Sequence, residues 1–389
     1  MTICRETPVA SVIIRDRSTL GKLFLDPCLH FGDGYSNGRI EVKGDLVKLC
    51  RAIELLESPG ETPRFQPKDW LRKHRNSLNG SKWNIRQHYD LGNDFYRLWL
   101  DRELVYTCAY FPRNGMSLEE AQTAKLEHIC RKLQLKPGQT VIEAGCGWGA
   151  LSLYMARRYG VKVSAYNISH EQIVYARDRA REEGLADKVE FIEKDWRHIA
   201  GNCDAFVSVG MLEHVGIENY RLLGEVINRC LNEKGVGLIH TIGRNAPAPL
   251  NRWTEERIFP GANPPSLREM MSIFEPREFS ILDVENLRLH YAETLRHWLL
   301  RFEEHRDQVG KMFDERFIRM WRLYLSGSVA SFQAGTLQLF QVVFCRARNN
   351  SIPWSRDYLY EENTPVPYAA IKEVDGYPHV VFKNEEDRP

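Results

Sequence analysis

A glycine-rich stretch between a predicted strand and a predicted helix most constrains the fold of this chain. The apolar run at 140–142 leads into E-A-G-C-G-W-G at 143–149, and a helical pattern begins at Ala150. Three glycines at alternating positions let the backbone pass close to a ligand, because no Cβ is in the way and positive φ costs little. The spacing is not the G-x-G-x-x-G that binds pyrophosphate, so we expect a nucleotide-like cofactor without phosphates. The alternative is a glycine turn that binds nothing.

An acidic residue followed by alternating glycines resembles motif I of class I S-adenosylmethionine methyltransferases. The resemblance implies that Glu143, Gly145, Gly147 and Gly149 contact this cofactor. From residue 140 onward, apolar runs alternate with helical patterns: runs at 161–166, 189–192, 205–209 and 236–240, helices at 171–183 and 220–231. Repeated βα units predict an α/β fold, a Rossmann-like, mostly parallel sheet covered by helices, with ligands at the carboxyl ends of the strands.

Charge and cysteine content exclude several classes of function. Lys and Arg together number 53 against 52 Asp and Glu, and the net charge of +1 gives no drive toward nucleic acid, so we expect no nucleic-acid partner. Nine cysteines include no C-x-x-C pair, which predicts free thiols in a reducing compartment and no metal site. The N-terminus has no apolar signal core and the chain has no long apolar run. These features predict a cytoplasmic protein.

Composition divides the chain into segments. Residues 1–65 are predicted to form a small α+β N-terminal domain, with a turn cluster at 31–34 and a helix beginning near residue 45. A linker and basic segment follows at 66–85, and the catalytic domain is expected at 86–348. Within it, the aromatic stretch 243–335 is predicted to be a mostly helical insertion that covers the cleft. The extension at 349–389 has strand-like pieces and no assigned role.

A second signature precedes the glycine stretch. The segment QHYDLGNDFY at 87–96, followed by YTCAYF at 106–111, is similar to the signature of the cyclopropane-fatty-acid synthase and mycolic acid cyclopropane synthase family. The resemblance implies methyl transfer from S-adenosylmethionine to a cis double bond of a phospholipid acyl chain, followed by closure to a cyclopropane. Without the resemblance, the aromatics would be interpreted as a core-covering helix and Cys108 as a small buried apolar residue.

The family pattern places further cofactor contacts. The strand at 161–166 leads to Asn167 and lacks the carboxylate that most methyltransferases direct at the ribose, so the resemblance assigns this place to Asn167 and Gln172. An indole at Trp196 is expected beside the adenine, where it can stack. The tyrosine and threonine at 106 and 107 are expected at the methionine end of the cofactor. The full set of expected contacts is Tyr106, Thr107, Glu143, Gly145, Gly147, Gly149, Asn167, Gln172, Asp195, Trp196 and Val209.

The expected catalytic residues come from three loops and the insertion. Methylation turns an alkene into a carbocation, so water must be excluded and a base must take a proton from the added methyl group. By resemblance this base is bicarbonate, held by Cys108, Glu213, His240, the backbone of Ile242, and Tyr324. The imidazole, the phenol and a backbone N–H can donate to the ion, while the glutamate can accept its hydroxyl proton. Taken singly, such residues are more often structural.

The expected partner is an unsaturated phospholipid acyl chain at the surface of the inner membrane. Lys, Arg and Trp side chains in and near 66–85 suit peripheral contact with anionic headgroups, although a basic stretch is also commonly a solvated face. We further expect a homodimer. Three alternatives remain at this stage: a methyl-branched or methylene fatty-acid product, a small-molecule N-methyltransferase on the same scaffold, and a lipid-binding module without catalysis.

Overall fold

The computed structural model describes residues 9–56, 91–360, 370–374 and 377–381. The predicted linker and basic segment at 66–85, the domain boundary at 65 and the start of the aromatic signature lie outside these residues. None of the described helices is long and apolar enough to cross a bilayer.

The N-terminal unit is a two-stranded antiparallel ribbon with three helices: β1 (Ala10–Ile14), α1 (Arg17–Leu23), α2 (Pro27–Ser36), β2 (Ile40–Gly44) and α3 (Leu46–Leu56). Its core is continuous with that of the catalytic part. The Arg319 guanidinium donates to the carbonyls of Tyr35 and Ile40 at 2.6 and 2.9 Å, and Arg257 forms a bidentate pair with Asp33. These contacts fasten the unit to the insertion.

The turn cluster predicted at 31–34 is wrong, because these residues form the second half of α2. The glycines at 32 and 34 suggested a turn, but both allow close packing of the helix against neighbouring side chains. A Cβ on Gly32 would lie 2.3 Å from the Trp253 ring, and one on Gly34 would lie 2.8 Å from Ile40. The glycines therefore mark close approach of a helix to its neighbours.

Gly32→Ala is expected to destabilise the protein by about 1–3 kcal/mol, the usual cost of overpacking a core. Alanine has the higher helix propensity, so a preference for helix alone would give the opposite sign. Thermal unfolding measures the change. Gly21→Ala is the matched control, since Gly21 is also helical and nothing lies within 4 Å of its added Cβ. A Gly32 variant as stable as this control would contradict the packing account.

Between residue 91 and the sheet, the described chain forms two helices: α4 (Asn93–Arg97) and α5 (Leu118–Lys132). The second begins at a capping box, in which Ser117 and Glu120 bond reciprocally to each other's backbone N–H. Its buried face carries residues spaced three and four apart, Leu118, Ala121, Gln122, Lys125, Leu126 and Ile129.

The central sheet is formed in chain order by β3 (Thr140–Ala144), β4 (Lys162–Asn167), β5 (Val189–Glu193), β6 (Cys203–Val209), β7 (Leu231–Gly243), β8 (Phe279–Asn286) and β9 (Gln338–Arg346). Its order is β5-β4-β3-β6-β7-β9-β8. The first five strands are parallel, and β9 pairs antiparallel with both β7 and β8. The predicted α/β class is therefore confirmed.

Helices α6 (Ala150–Tyr159), α7 (His170–Glu182) and α8 (Tyr220–Cys230) connect the parallel strands and cover the sheet. The later helices are α9 (Arg252–Arg257), α10 (Leu267–Phe274), α11 (Arg288–Glu304), α12 (Arg306–Met312) and α13 (Glu315–Ala334). Residues 243–335 are mostly helical, as predicted, but they also contain the edge strand β8, which the sequence reasoning missed. The register of β8 against β9 shifts between Ile281 and Asp283, so the alternation that signals a strand is interrupted.

The C-terminal extension packs back onto the body as far as residue 360. Arg356 pairs with Asp283 at 2.7 Å, and Arg131 donates to the carbonyl of Leu359 at 3.3 Å. Beyond it, β10 (Ala370–Val374) and β11 (Tyr377–Val381) form an antiparallel pair.

Candidate active site

One cavity at the carboxyl ends of the parallel strands collects most of the predicted cofactor residues. Ten of the eleven line it: Tyr106, Thr107, Glu143, Gly145, Gly147, Asn167, Gln172, Asp195, Trp196 and Val209. The eleventh, Gly149, serves packing, because an added Cβ would lie 2.6 Å from Phe191. The cavity thus runs from the loops after β4 and β5 to the segment at 104–107.

The glycine loop shapes the floor of this cavity. Gly145, Gly147 and Gly149 have φ of 84°, 54° and 86°, which side chains other than glycine rarely adopt. A Cβ on Gly145 would lie 2.9 Å from Met211, whereas one on Gly147 would meet nothing within 4 Å. The open space above Gly147 is where a ligand can approach the backbone.

Asn167 and Gln172 meet at the end of β4. The Asn167 amide donates to Gln172 Oε1 at 2.7 Å and to the carbonyl of Gly147 at 3.3 Å, and its own oxygen accepts from Ile168 N. The amide therefore fixes the glycine loop against α7. A neutral amide at this place leaves this wall of the cavity without the carboxylate that most methyltransferases carry.

Trp196 is buried and lines the cavity after β5, and the Arg197 guanidinium lies over its ring, 4.6 Å from the centroid. Asp195 caps the short 3-10 turn Trp196–His198 by accepting from Arg197 N, and it also binds the Arg197 guanidinium at 3.0 Å. The Asp195 carboxylate is thus already held by its neighbour.

The segment at 104–107 also lines the cavity and is held by α5. Gln122 donates to the carbonyls of Val105 and Thr107 at 3.2 and 2.9 Å, and Lys125 donates to Thr107 Oγ1 at 2.9 Å. Glu143 is buried nearby and accepts a hydrogen bond from Ser152. Burial raises the pKa of Glu143 to about 7.

A second group of buried polar residues lies behind this cavity, at the ends of β6 and β7. Glu213, in the short turn Leu212–His214, accepts from Ile242 N at 2.6 Å through Oε1. Its other oxygen is buried and has no hydrogen-bond partner in the part of the chain that the structure describes. Burial raises the pKa of Glu213 to about 7, so the carboxyl changes its charge near neutral pH.

His240 lies on β7, two residues from Ile242. Gln341 on β9 places its amide nitrogen 3.0 Å from His240 Nδ1. With the amide as donor, the neutral ring carries its proton on Nε2. Nε2 is buried, and no described residue bonds to it. Burial keeps the pKa of His240 well below its usual value, and the charges of Lys125 and Lys132 act in the same direction. The ring is therefore a neutral donor.

Tyr324 on α13 contacts a residue of the cofactor cavity. Its hydroxyl lies 2.8 Å from that of Tyr106, which lines the cofactor cavity. Burial raises the pKa of Tyr324, so the phenol stays protonated. Aromatic rings surround the pair: Trp99 and Trp298 each lie 5.2 Å from Tyr106 between ring centroids, and Trp321 lies 5.2 Å from Tyr324.

Cys108 is completely buried, and its thiol points to the carbonyls of Ala109 and Leu287. Burial raises the pKa of this thiol, so it remains protonated. No described contact joins Cys108 directly to Glu213 or Tyr324. The structure thus brings Glu213 to Ile242, and Tyr324 to Tyr106, while Cys108 lies under α11.

Comparison with known proteins identifies the family of the chain. The family model for mycolic acid cyclopropane synthetase matches residues 76–342. The chain belongs to this family. It is 41% identical over 272 residues to the cyclopropane-fatty-acyl-phospholipid synthase of Escherichia coli, covering 70% of each chain. It is 32% identical over 365 residues to a probable fatty acid methyltransferase of Pseudomonas putida, covering 91% of this chain and 92% of that protein.

Among solved structures, the mycolic acid cyclopropane synthase CmaA1 complexed with SAH and CTAB superposes with a TM-score of 0.64 at 30% identity, covering 68% of this chain and 97% of that one. Membership makes this chain an S-adenosylmethionine-dependent methyltransferase. The described residues fit that cofactor: the space above Gly147 admits a ligand, and Trp196 and Asn167 line the same cavity.

Two residues of this family member were missed by sequence reasoning. Gln341 interrupts the apolar run of β9, and Lys125 interrupts the apolar stripe of α5. A polar residue on an otherwise buried face is the signal that would have found both, because such a group needs a specific partner. Lys125 lines the cofactor cavity, and Gln341 holds His240.

Gln341→Leu is expected to lower turnover by about 10- to 100-fold, the usual cost of losing a partner that orients a functional histidine. The imidazole would lose the contact that fixes which nitrogen carries the proton. The KM for S-adenosylmethionine should stay unchanged, since Gln341 does not line the cofactor cavity. Steady-state kinetics separates the two constants. An unchanged turnover would show that His240 needs no such orientation.

Proposed function

We propose that this protein transfers the methyl group of S-adenosylmethionine to a cis double bond in a phospholipid acyl chain and closes the product to a cyclopropane, with bicarbonate as the general base. One observation carries the proposal: the Tyr324 hydroxyl lies 2.8 Å from that of Tyr106, which lines the cofactor cavity, and buried aromatic rings surround this pair. Transfer to an oxygen or nitrogen would not need such an enclosure.

The aromatic enclosure suits a carbocation. The cofactor supplies a methyl group bonded to a sulfonium, and an attacking alkene becomes a cation with no proton lost beforehand. The rings of Trp99, Tyr106, Trp298, Trp321 and Tyr324 pack in one buried cluster, and an aromatic π-face attracts a cation by roughly 0.5–2 kcal/mol without trapping it. Their burial also excludes the water that would end the reaction as an alcohol.

Ring closure needs a proton acceptor close to the added methyl group. His240 Nε2 and the Tyr324 hydroxyl can donate to the oxygens of bicarbonate, and the free oxygen of Glu213 can accept its hydroxyl proton. The backbone N–H of Ile242, expected to donate to the ion, bonds to Glu213 and holds that carboxylate in place. These donors and this acceptor support bicarbonate better than they support a side-chain base alone.

A membrane surface is the proposed location of the lipid, with the enzyme bound peripherally to the cytoplasmic face of the inner membrane. The N-terminal unit exposes Phe24, Leu25 and Leu56 by 83, 74 and 82%. Exposed apolar groups of this size near lysines and arginines suit the headgroup region of a bilayer. Phe24→Ser with Leu25→Ser should lower co-sedimentation with anionic vesicles, and equal binding of the variant would exclude this surface.

A second candidate is a methyl-branched or methylene fatty acid formed from the same cation. The Pseudomonas putida relative, described as a probable fatty acid methyltransferase, aligns over nearly the whole chain and favours keeping this candidate. The products differ in one respect that NMR detects directly, the presence or absence of cyclopropane ring protons.

Incubation with S-adenosylmethionine and vesicles of an unsaturated phospholipid tests the proposal. The expected result is a gain of one CH₂ per acyl chain by mass spectrometry, with ring protons in the NMR spectrum. Removing bicarbonate should slow the reaction, and returning it should restore the rate.

Methylation of amines but not of vesicles would instead identify an N-methyltransferase. Cofactor binding without any release of S-adenosylhomocysteine would indicate a module without catalysis. Light scattering after size exclusion tests the homodimer that we also propose.

A further inference from the structure

Helix α5 buries two lysines, and they differ in how their charge is compensated. Lys132 is 1% exposed, and its ammonium lies 2.6 Å from Glu285 and 3.7 Å from Asp283. Lys125 is 2% exposed, two turns earlier on the same helix. No carboxylate among the described residues lies within 4.0 Å of its ammonium, and the Thr107 hydroxyl is its hydrogen-bond acceptor. A buried ammonium has three donors and is costly unless it is paired.

The position of Lys125 indicates what compensates it. The side chain lines the cofactor cavity together with Thr107, to which it donates, and with Glu143, whose charge acts on it. A cation at Lys125 and a carboxyl at Glu143 therefore line the same cavity. The cofactor's amino-acid group carries one carboxylate and one ammonium, which is the complementary pair of charges.

We propose that Lys125 binds the α-carboxylate of the methionyl group of S-adenosylmethionine, and that Thr107 orients its ammonium toward it. The proposal rests on S-adenosylmethionine as the cofactor and is independent of the lipid, of the product and of bicarbonate. It also explains why a lysine occupies the apolar stripe of α5: its ion pair is completed by the ligand.

Isothermal titration calorimetry with two ligands tests this assignment. S-adenosylhomocysteine carries the α-carboxylate, and S-adenosyl-3-thiopropylamine is the same thioether without it. The wild-type protein should bind the first ligand about 10- to 100-fold more tightly, the range for a charge-assisted hydrogen bond. In Lys125→Met, which keeps the length of the side chain and removes the charge, the two affinities should become nearly equal.

Two controls separate binding from packing. Lys125→Arg keeps the charge and should keep most of the preference for the carboxylate. Lys132→Met removes the other buried lysine of α5, outside the cavity, and should keep the wild-type ratio of affinities even if its melting temperature falls. Circular dichroism verifies folding, and Lys125→Gln replaces Lys125→Met if the latter does not fold.

Several outcomes would overturn the proposal. Equal binding of both ligands by the wild-type protein would do so without any variant. A Lys125→Met protein that keeps the wild-type preference, or that weakens both ligands equally, would assign the lysine to packing alone. Failure of the wild-type protein to bind S-adenosylhomocysteine at all would instead refute cofactor use of this cavity, a result distinct from the others.

Discussion

Glu213→Gln is expected to lower turnover by about 10²- to 10⁴-fold, the usual contribution of general acid–base groups. The amide keeps the size of the side chain but cannot take a proton from bicarbonate. Affinity for S-adenosylhomocysteine should stay within about twofold of wild type, because Glu213 lies behind the cofactor cavity and does not line it. Single-turnover kinetics and calorimetry measure the two quantities separately.

The pH profile adds a second readout for the same residue. Because burial raises the pKa of Glu213 to about 7, the ionised acceptor forms as the pH rises through that value. Turnover of the wild type, at saturating bicarbonate, should therefore rise with pH around 7 and level off above it, and the Gln variant should lose this step.

Glu143→Gln is the matched comparison, since this equally buried glutamate lines the cofactor cavity and should chiefly change cofactor affinity. Equal loss of binding and turnover in Glu213→Gln would contradict a role in proton transfer.

Gly147→Leu is expected to weaken cofactor binding at least about 100-fold, or about 3 kcal/mol, as a large side chain enters the space that the ligand needs. The protein itself has room, because nothing lies within 4 Å of an added Cβ. Folding should therefore survive, with a cost of about 1–2 kcal/mol for a side chain at φ 54°. Calorimetry with S-adenosylhomocysteine gives the affinity, and thermal unfolding gives the stability.

Gly184→Leu is the control for backbone strain. Gly184 has φ of 65° and also has nothing within 4 Å of an added Cβ, but it lies in the turn after α7, outside the cavity. The two variants should lose similar stability, while only the first loses the cofactor. Similar affinities for the two would mean that the space above Gly147 is not where the ligand lies.

The residues expected to contact the cofactor came partly from a local signal and partly from the family resemblance. The glycines at 145, 147 and 149 need positive φ and report their own surroundings, whereas the resemblance supplied residues such as Asn167 and Trp196. Parallel strands then bring such residues to one edge of the sheet, so ten of eleven predicted contacts share a cavity. The geometry needed only the alternation of strands and helices, which the periodicity of apolar residues reveals.

The expected catalytic residues depend on contacts between distant parts of the chain, and the periodicity of apolar residues does not report such contacts. Glu213 meets Ile242, His240 meets Gln341, and Tyr106 meets Tyr324, each across elements whose mutual position the sequence does not state. The reading of secondary structure from the sequence also failed at two places. It missed β8, whose register against β9 is irregular, and it predicted a turn at the packed glycines of α2. The family resemblance named Glu213, His240 and Tyr324, and only the folded chain shows which residues they contact.

The late position of β9 in the chain has a consequence for biosynthesis. All the parallel strands are translated before it, so a growing polypeptide carries β7 with an open, apolar edge until β9 arrives to cover it. Such an edge readily pairs with another chain, so a product truncated before β9 should aggregate and not yield a smaller working enzyme. Gln341 arrives on the same strand, and His240 therefore gains its partner only as the sheet is closed.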